Sequence, residues 1–589
     1  MFNKTFKLLS LCAILIGTTF SQNTPVKIIQ NGDVFTSNQN PIVQRDVNGN
    51  FTLSTMDKID PVYYTNSPVN WVTTELSTDA RTVYDLQSNG CVRYIWQNPA
   101  NPLQLHAIFT HSADPAAWPD RNVRYFYSAN GGTTWDYLGA VSLSRAGFGS
   151  LSALTSGRAI VATHTANAPS GDVRTQVFVD IAPGGGTWTA KDPGIAGTLV
   201  TIWPSLVSTT NNGCLVTSSI NATPGPLYRN QNADLTTGNT WSGWTEVLNG
   251  ENANQSAVGC SGSTLGIAYL TTDGGISYMQ SNDNGATWGA PTVVRAYTPA
   301  DSNGTLRSVE MIFQNGQPRV IFGVCKVLPV AGSFFPGAPS YVYSWSPTIN
   351  SGNPVLVDSS QGLRGTGEVD VYTSVCRGVL GASTNGNGLY SAWCRVRLND
   401  TSAAGIHFFD IWFAVSTDGG ATWTNKTRMT NISGPLKDNR WPSLSPTNNG
   451  GGATYFEYMV HQQDSIPGTY VNAQPVHTSY QMFTKITLQD VIGITPIGGE
   501  IPNQYALHQN FPNPFNPTTN IRFDLPKNEF VTLKVYNAMG QEVATLINEN
   551  VSAGAKVYDW NAINIPSGVY FYTLTAGDFK ETKKMILVK

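Results

Sequence analysis

Apolar side chains gather in short runs rich in Val, Ile, Tyr, Phe, Trp and Thr, separated by Asn-Gly, Asp-Gly and Gly-Gly pairs. Cys91-Val92-Arg93-Tyr94-Ile95-Trp96 and Leu265-Gly266-Ile267-Ala268-Tyr269-Leu270 are examples. The 3.6-residue spacing of an amphipathic helix is almost absent. The pattern therefore predicts strands joined by tight turns over most of residues 80–485.

The turns repeat. Ser128-Ala129-Asn130-Gly131-Gly132-Thr133-Thr134-Trp135 returns as Ser281-Asn282-Asp283-Asn284-Gly285-Ala286-Thr287-Trp288 and as Ser416-Thr417-Asp418-Gly419-Gly420-Ala421-Thr422-Trp423. Weaker echoes at Gly184-Gly185-Gly186-Thr187-Trp188 and Thr237-Gly238-Asn239-Thr240-Trp241 set a step of roughly 50 residues early in the chain. A second marker, Trp203-Pro204-Ser205-Leu206, recurs as Trp441-Pro442-Ser443-Leu444. Together they predict about seven units, starting near Arg81, Phe148, Trp203, Asn254, Arg307, Tyr372 and Trp441, or about six if one is an insertion. Each eight-residue marker has the chemistry of a hairpin. Asp or Asn in third position accepts hydrogen bonds from the turn, Gly in fifth takes backbone angles other residues resist, and Thr and Trp open the next strand.

This S-x-D-x-G-x-T-W pattern resembles the Asp-box, or BNR repeat, of the sialidase-like β-propellers, with Asn130 in place of Asp in the first copy. The box residues are then Ser128, Asn130, Gly132 and Trp135; Ser281, Asp283, Gly285 and Trp288; and Ser416, Asp418, Gly420 and Trp423. The resemblance implies an all-β fold with a six- or seven-bladed propeller over residues 81–490, its boxes on the outer blade edges and remote from any active site. Residues 22–80 carry short strand-like runs at Val34-Phe35, Phe51-Thr52-Leu53 and Val62-Tyr63-Tyr64, one of which would close the ring by pairing with the last blade. Asp46-Val47-Asn48-Gly49-Asn50 begins like a calcium loop. Phe51 and Asp57 stand where that loop needs Gly and Glu, which leaves an Asn-Gly turn.

The texture changes near Gly498. After a linker at 491–501 come Asn510-Phe511-Pro512-Asn513-Pro514-Phe515-Asn516-Pro517, then alternating runs such as Val531-Thr532-Leu533-Lys534-Val535-Tyr536, which suit a small two-sheet sandwich. With Phe523-Asp524-Leu525-Pro526, Ser567-Gly568-Val569-Tyr570 and the basic end from Lys583 to Lys589, residues 502–589 are similar to the type A C-terminal sorting domain of the type IX secretion system. That likeness implies an immunoglobulin-like β-sandwich whose partner is the type IX machinery. It also implies a product released from the cell or attached to the outer face of the outer membrane.

Composition sharpens the address. Only 12% of the 589 residues are charged, against about 25% in typical soluble proteins, while 41% are hydrophobic, so disorder is excluded and large cores are not. A net charge of −3 without a basic run gives no footprint for nucleic acid. At the N-terminus Lys4 and Lys7 precede an apolar run from Leu8 to Ile16 and then small and polar residues to Ser21, the order of a secretory signal over residues 1–21. No other stretch has the roughly 20 apolar residues of a membrane helix.

Chemistry is less legible. No Cys/His cluster or cofactor motif is present, so neither metal nor cofactor is expected. Cys376 and Cys394 flank a predicted hairpin, where a disulfide and a pair of buried thiols are both compatible with the spacing. A sialidase needs three arginines around a substrate carboxylate, a tyrosine nucleophile activated by a glutamate, and an aspartate acid-base. Residues near the starts of the innermost strands supply candidates: Arg81, Arg307 and Arg440, with Glu310, Tyr372 and Asp370. Trp203 and Trp441 are candidate ligand platforms at the same mouth. The Arg-Ile-Pro motif of bacterial sialidases is missing. The expectation is a secreted or cell-surface propeller that binds glycan or protein at its central mouth, with an exo-acting sialidase and an architectural adhesin as alternatives.

Overall fold

The computed structural model describes residues 69–489 and 494–588, together with the antiparallel strand pair Val43–Arg45 and Phe51–Leu53. Excepted are 497–503 and the loop stretches 88–89, 99, 167–171, 199, 221–225, 249–254, 301, 329–332, 364–371, 385–387, 432–434, 449–453, 470–474, 528, 552–553 and 563–564. The secretory signal, the Asp46–Asn50 turn, Asp370 and the strand-like runs at Val34 and Val62 lie outside the described residues.

Seven antiparallel sheets follow one another in sequence, each built as an inner strand followed by its neighbours outward. The inner strands are Ile95–Gln97, Ala146–Ala153, Thr201–Ser208, Ser256–Ser261, Asn303–Gln314, Val375–Ala382 and Asp438–Leu444. Each sheet's inner edge packs against the next, and Asp438–Leu444 packs back on Ile95–Gln97, so the inner strands form a closed ring. The fold is a seven-bladed β-propeller. Six of the seven inner strands begin within four residues of the sequence markers. The first does not: Arg81 lies ahead of the ring, just past the short 3-10 turn Thr78–Ala80, and the first inner strand begins at Ile95.

The ring dictates the composition. Inner strands such as Ala146–Ala153 are buried along their whole length because neighbours cover both faces, whereas the outer strand Asp136–Ala140 is exposed or half-exposed. Apolar clusters fill the wedges between sheets, as where Leu154, Ile160 and Val177 of the second meet Leu206 and Val216 of the third. Charge is thereby confined to a minority of positions.

Both sequence markers have a physical basis. In five inner strands the pairing register skips at a bulge, among them Ile202 to Ser205 and Arg440 to Ser443. The skipped residues are Trp203-Pro204 and Trp441-Pro442. Proline suits this place because it has no N–H to offer the ladder. Phe148, Trp203, Arg377 and Trp441, at equivalent bulges, all have φ between 54° and 60°. Bulky residues rarely adopt that conformation, and its recurrence marks a built feature of the ring.

The eight-residue turns join third to fourth strands and share one bonding pattern. Ser281 Oγ donates to Asp283 Oδ1 at 2.7 Å and accepts from Gly285 N at 2.7 Å, while Asp283 Oδ1 accepts from Thr287 N at 2.8 Å. Ser416, Asp418, Gly420 and Thr422 repeat it at 2.7–2.9 Å, and Ser128, Asn130, Gly132 and Thr134 do so at 2.9 Å. The fifth-position glycines have φ of 83°, 86° and 97°. Each Trp then reaches the preceding sheet: Trp135 packs edge-on against Phe483, Trp288 lies under Arg229, and Trp423 Nε1 donates to Ser344 Oγ at 2.8 Å. The turns thus clasp neighbouring blades.

The seventh sheet has mixed origin. Its inner three strands end with Tyr480–Gln489, and its outermost strand is Val69–Glu75 from the start of the described chain. Leu76 N donates to Gln481 O at 2.9 Å, and the hydroxyls of Thr73 and Thr484 bond at 2.9 Å.

Within this sheet His477 Nε2 lies 3.5 Å from the buried Asp464. That carboxylate, with the carbonyl of Pro475, pushes the imidazole up to about 9 from its ordinary 6.5. A base whose folded-state pKa is raised stabilises the fold fully below pH 6.5 and loses that contribution as pH rises through 9. Denaturant titrations should show stability falling by about 2 kcal/mol over this window, and His477→Gln should remove the fall. An unchanged slope in the variant would refute the pairing.

The C-terminal unit, Leu488–Lys589, is a sandwich of two four-stranded sheets. Thr518–Leu525 alternates exposed and buried positions, and its Ile521, Phe523 and Leu525 meet Leu533, Val535 and Leu574 of the other sheet. Ile494–Pro496 pairs with Gly554–Asn561, so this sandwich begins inside the stretch read from sequence as a linker. The asparagines of the proline-rich run pin it down. Asn510 Nδ2 donates to Thr519 Oγ1 at 2.8 Å, Asn513 Oδ1 accepts from Ile586 N at 2.9 Å, and Phe515 is buried against Trp560.

Candidate binding site at the ring axis

The chain entering the first sheet crosses the ring axis. Arg93 sends its guanidinium to the opposite side, where Nη1 donates to Val258 O of the fourth sheet at 3.5 Å and Nη2 to Met311 O of the fifth. Its Nε lies 3.3 Å from Glu310. Arg377 Nη1, from the sixth sheet, donates to Gly90 O at 3.0 Å, and Cys91 Sγ lies 3.9 Å from Ser308 Oγ. Glu310 also accepts from Leu380 N. Burial pushes the Glu310 carboxyl up to about 7, with Arg93 opposing the rise. This buried pair plugs the axis.

Between the plug and the hairpins that follow the inner strands lies a cavity of about 330 Å³. Trp96, Leu154, Phe313 and a set of hydroxyls including Thr155, Thr210 and Thr447 line it, and six of the seven sheets contribute. Its walls hold no Asp, Glu, His or Tyr among the described residues, and the single charged group, Arg93, is already paired. Trp96 is 8% exposed, and its indole Nε1 has no hydrogen-bond partner. Cys260 is also on the wall, and burial raises its thiol to about 11, which favours the protonated form at neutral pH.

Among the described residues, the sialidase candidates Arg81, Arg440, Tyr372 and Glu310 do not assemble into a substrate-facing set. Arg81 is exposed and forked onto Glu75 at 2.6 and 2.9 Å beside the outermost strand of the seventh sheet. Arg440 is fully buried, donating to Asp438 at 2.6 Å beneath Tyr372 and Phe409. Arg307 lies in the strand Asn303–Gln314, and its side chain is outside the described residues. Tyr372 is completely buried, its phenol pushed well above its ordinary value by desolvation, the opposite of an activated nucleophile. Glu310 is committed to the axial plug.

Trp441 is 2% exposed, stacked on Arg377 at 3.9 Å and donating to Asp85 O at 3.2 Å, so it is a packed wedge. Trp203 at the matching bulge is half-buried and is not among the cavity residues. Cys376 and Cys394 face each other in register across the sixth sheet as free buried thiols, with no disulfide between them. They pack as small apolar groups beside the bulge at Arg377. Among the described residues no group of three His, Cys, Asp or Glu is placed to hold a metal.

Arg93 and Trp96 were not singled out from the sequence as site residues. The available signal was an arginine inside an apolar run, since a buried charge demands a partner from elsewhere in the fold.

Residues 509–589 match the secretion system C-terminal sorting domain. The chain is therefore an exported protein. No helix among the described residues is long and apolar enough to cross a membrane. No curated protein matches the sequence. Among solved structures, an α-L-arabinofuranosidase from Fusarium graminearum is 14% identical, with 56% of this chain and 93% of that one covered at a TM-score of 0.35. A protein of unknown function from Dyadobacter fermentans is 10% identical, covering 70% and 98% at 0.35. A sialidase from Streptococcus pneumoniae is 12% identical, covering 53% and 66% at 0.33. The propeller assignment here rests on the strand pairing itself.

Proposed function

We propose that this protein leaves the cell by the type IX route, is either released or held at the outer face of the outer membrane, and acts there as a glycan-binding propeller. Its ligand is an uncharged sugar ring seated in the axial cavity. The observation that carries this reading is a cavity with aromatic and hydroxyl-bearing walls and no carboxylate among the described residues. Glycoside hydrolysis of the usual kind requires two acidic groups about 5–10 Å apart beside the bond, and an acidic sugar would require an unpaired cation. Neither is among the described cavity residues. A volume near the lower end of the roughly 300–1,000 Å³ usual for ligand sites suits one ring better than a longer chain.

The test is turnover against binding. Purified protein incubated with fluorogenic sialosides and neutral glycosides should release no fluorophore, while neutral monosaccharides should bind saturably. Sustained release of fluorophore from a sialoside by the folded wild-type protein would replace this reading with the sialidase one.

A further inference from the structure

One sheet of the C-terminal sandwich is built from Glu542–Val551, Glu529–Asn537, Gly568–Ala576 and Phe579–Leu587, in that spatial order. Tyr570, Tyr572 and Leu574 face the core with Leu533 and Val535, so the residues between them face outward. Directly paired residues share a face, and the pairing sorts the outer face into rows. Towards one end the rows are polar: Lys534, Thr573 and Thr582 form one, and Thr532, Thr575 and Lys580 the next. Towards the other end they turn apolar. Tyr536, Phe571 and Lys584 form a row there, and Val569 pairs with Ile586 beyond it.

The apolar end continues past the strands. Val569 is 40% exposed, and Met539, two residues beyond the Asn537 that pairs with Tyr570, is 80% exposed. Phe511, 79% exposed, belongs to the proline-rich run that Asn513 and Phe515 tie to Ile586 and Leu587 at the same end. These side chains stand on fixed backbone. Met539 N and Gln541 N both donate to Asn537 Oδ1 at 3.0 Å, and Gln509 Nε2 donates to Lys584 O at 2.8 Å. Large apolar groups held out from a fixed backbone add nothing to the core, and clustered in this way they mark a docking surface. The charge among them is positive: Lys584 is exposed, while the neighbouring carboxylate of Glu542 is bonded to Lys534 at 2.9 Å.

We infer that this end of the sandwich is the surface by which the type IX machinery binds the chain, and that the machinery meets it with an apolar pocket bordered by carboxylates. The occupant follows from the match of residues 509–589 to the secretion system sorting domain, which takes in every position in the patch. A sorting domain acts by being bound, and here an apolar face that the domain's own core does not use stands beside a free cation. Phe530, also exposed, lies at the opposite end, where its neighbour on the outer face is Thr532. The inference rests on the export route and not on the sugar cavity.

Export of the full chain from a bacterium with a working type IX system tests it, read by immunoblot of medium and cell surface against periplasm. Phe571→Thr combined with Ile586→Thr, which keeps β-compatible residues in both strands, should cut the exported fraction at least about tenfold and leave folded chain in the periplasm. Lys584→Glu should lower export in the same direction, and Phe530→Ser should leave it unchanged. Retained chain should melt like the wild type, which separates lost docking from lost folding. Export of the double variant and of Lys584→Glu at the wild-type level would overturn the proposal, as would an equal loss with Phe530→Ser. Should the double variant not fold, the exposed Lys584→Glu decides. Self-association lost in these variants while export persists would make the patch a contact between two copies of the chain instead.

Discussion

Replacing Arg93 by Ala should cost the propeller about 3–5 kcal/mol of unfolding free energy at neutral pH, because it leaves the Glu310 carboxylate buried at the axis without its cation. The carbonyls of Val258 and Met311 lose their donor in the same step. The double change Arg93→Met with Glu310→Leu should recover only part of that loss, since it removes the desolvation penalty of both charges but leaves the Val258 and Met311 carbonyls and the Leu380 N–H without their partners. The pH dependence has a definite sign. Glu310 has a folded-state pKa raised above its ordinary 4.5 to about 7, so its ionised form opposes folding at and above that pH, and the opposition fades as pH falls toward 4.5. Without Arg93 the rise is larger. Urea titrations should therefore find Arg93→Ala most deficient near pH 8 and partly recovered near pH 5. A loss under about 1 kcal/mol with no such trend would show that no buried pair plugs the axis.

The second large effect concerns closure of the ring. A chain starting at residue 77 lacks Val69–Glu75, which leaves Tyr480–Gln489 as an open edge and removes the partners of Gln481 and Thr484. An unpaired edge in a ring that depends on wedged neighbours exposes apolar side chains and invites association. The melting temperature should fall by about 10 °C or more, with aggregation on heating. The pairings of residue 76 with 481 and of 73 with 484 are antiparallel and place residue 69 opposite 488. Reinserting residues 69–76 after residue 489 through a short Gly-rich turn should restore the melting temperature. A truncated chain that melts like the intact one would mean the ring closes without that strand.

Much of the fold was legible because local chemistry and ring geometry coincide. The Ser-x-Asp-x-Gly turns and the Trp-Pro bulges impose their backbone from within a few residues, so their spacing reports the blades directly. The first sheet was misplaced for the converse reason. Cys91 to Trp96 looks like a single strand, yet Arg93 is held by Val258, Met311 and Glu310 from far along the chain, and regular pairing begins only at Ile95. Periodicity carries no information about such partners. The arginines illustrate the same limit. Arg81 and Arg440 look alike in sequence, but one is exposed on Glu75 and the other is sealed against Asp438. Trp96 was passed over because its cavity is assembled from the ends of strands in six sheets, which no local pattern announces.

Titration calorimetry of the purified full chain with a panel of neutral monosaccharides and with sialic acid tests the central claim most directly. Saturable heat from a neutral sugar, none from sialic acid, and loss of the signal in a folded Trp96→Ala variant are the predicted results. Binding unchanged by Trp96→Ala, or the steady heat of turnover with an acidic glycoside, would contradict a neutral-sugar site at the ring axis.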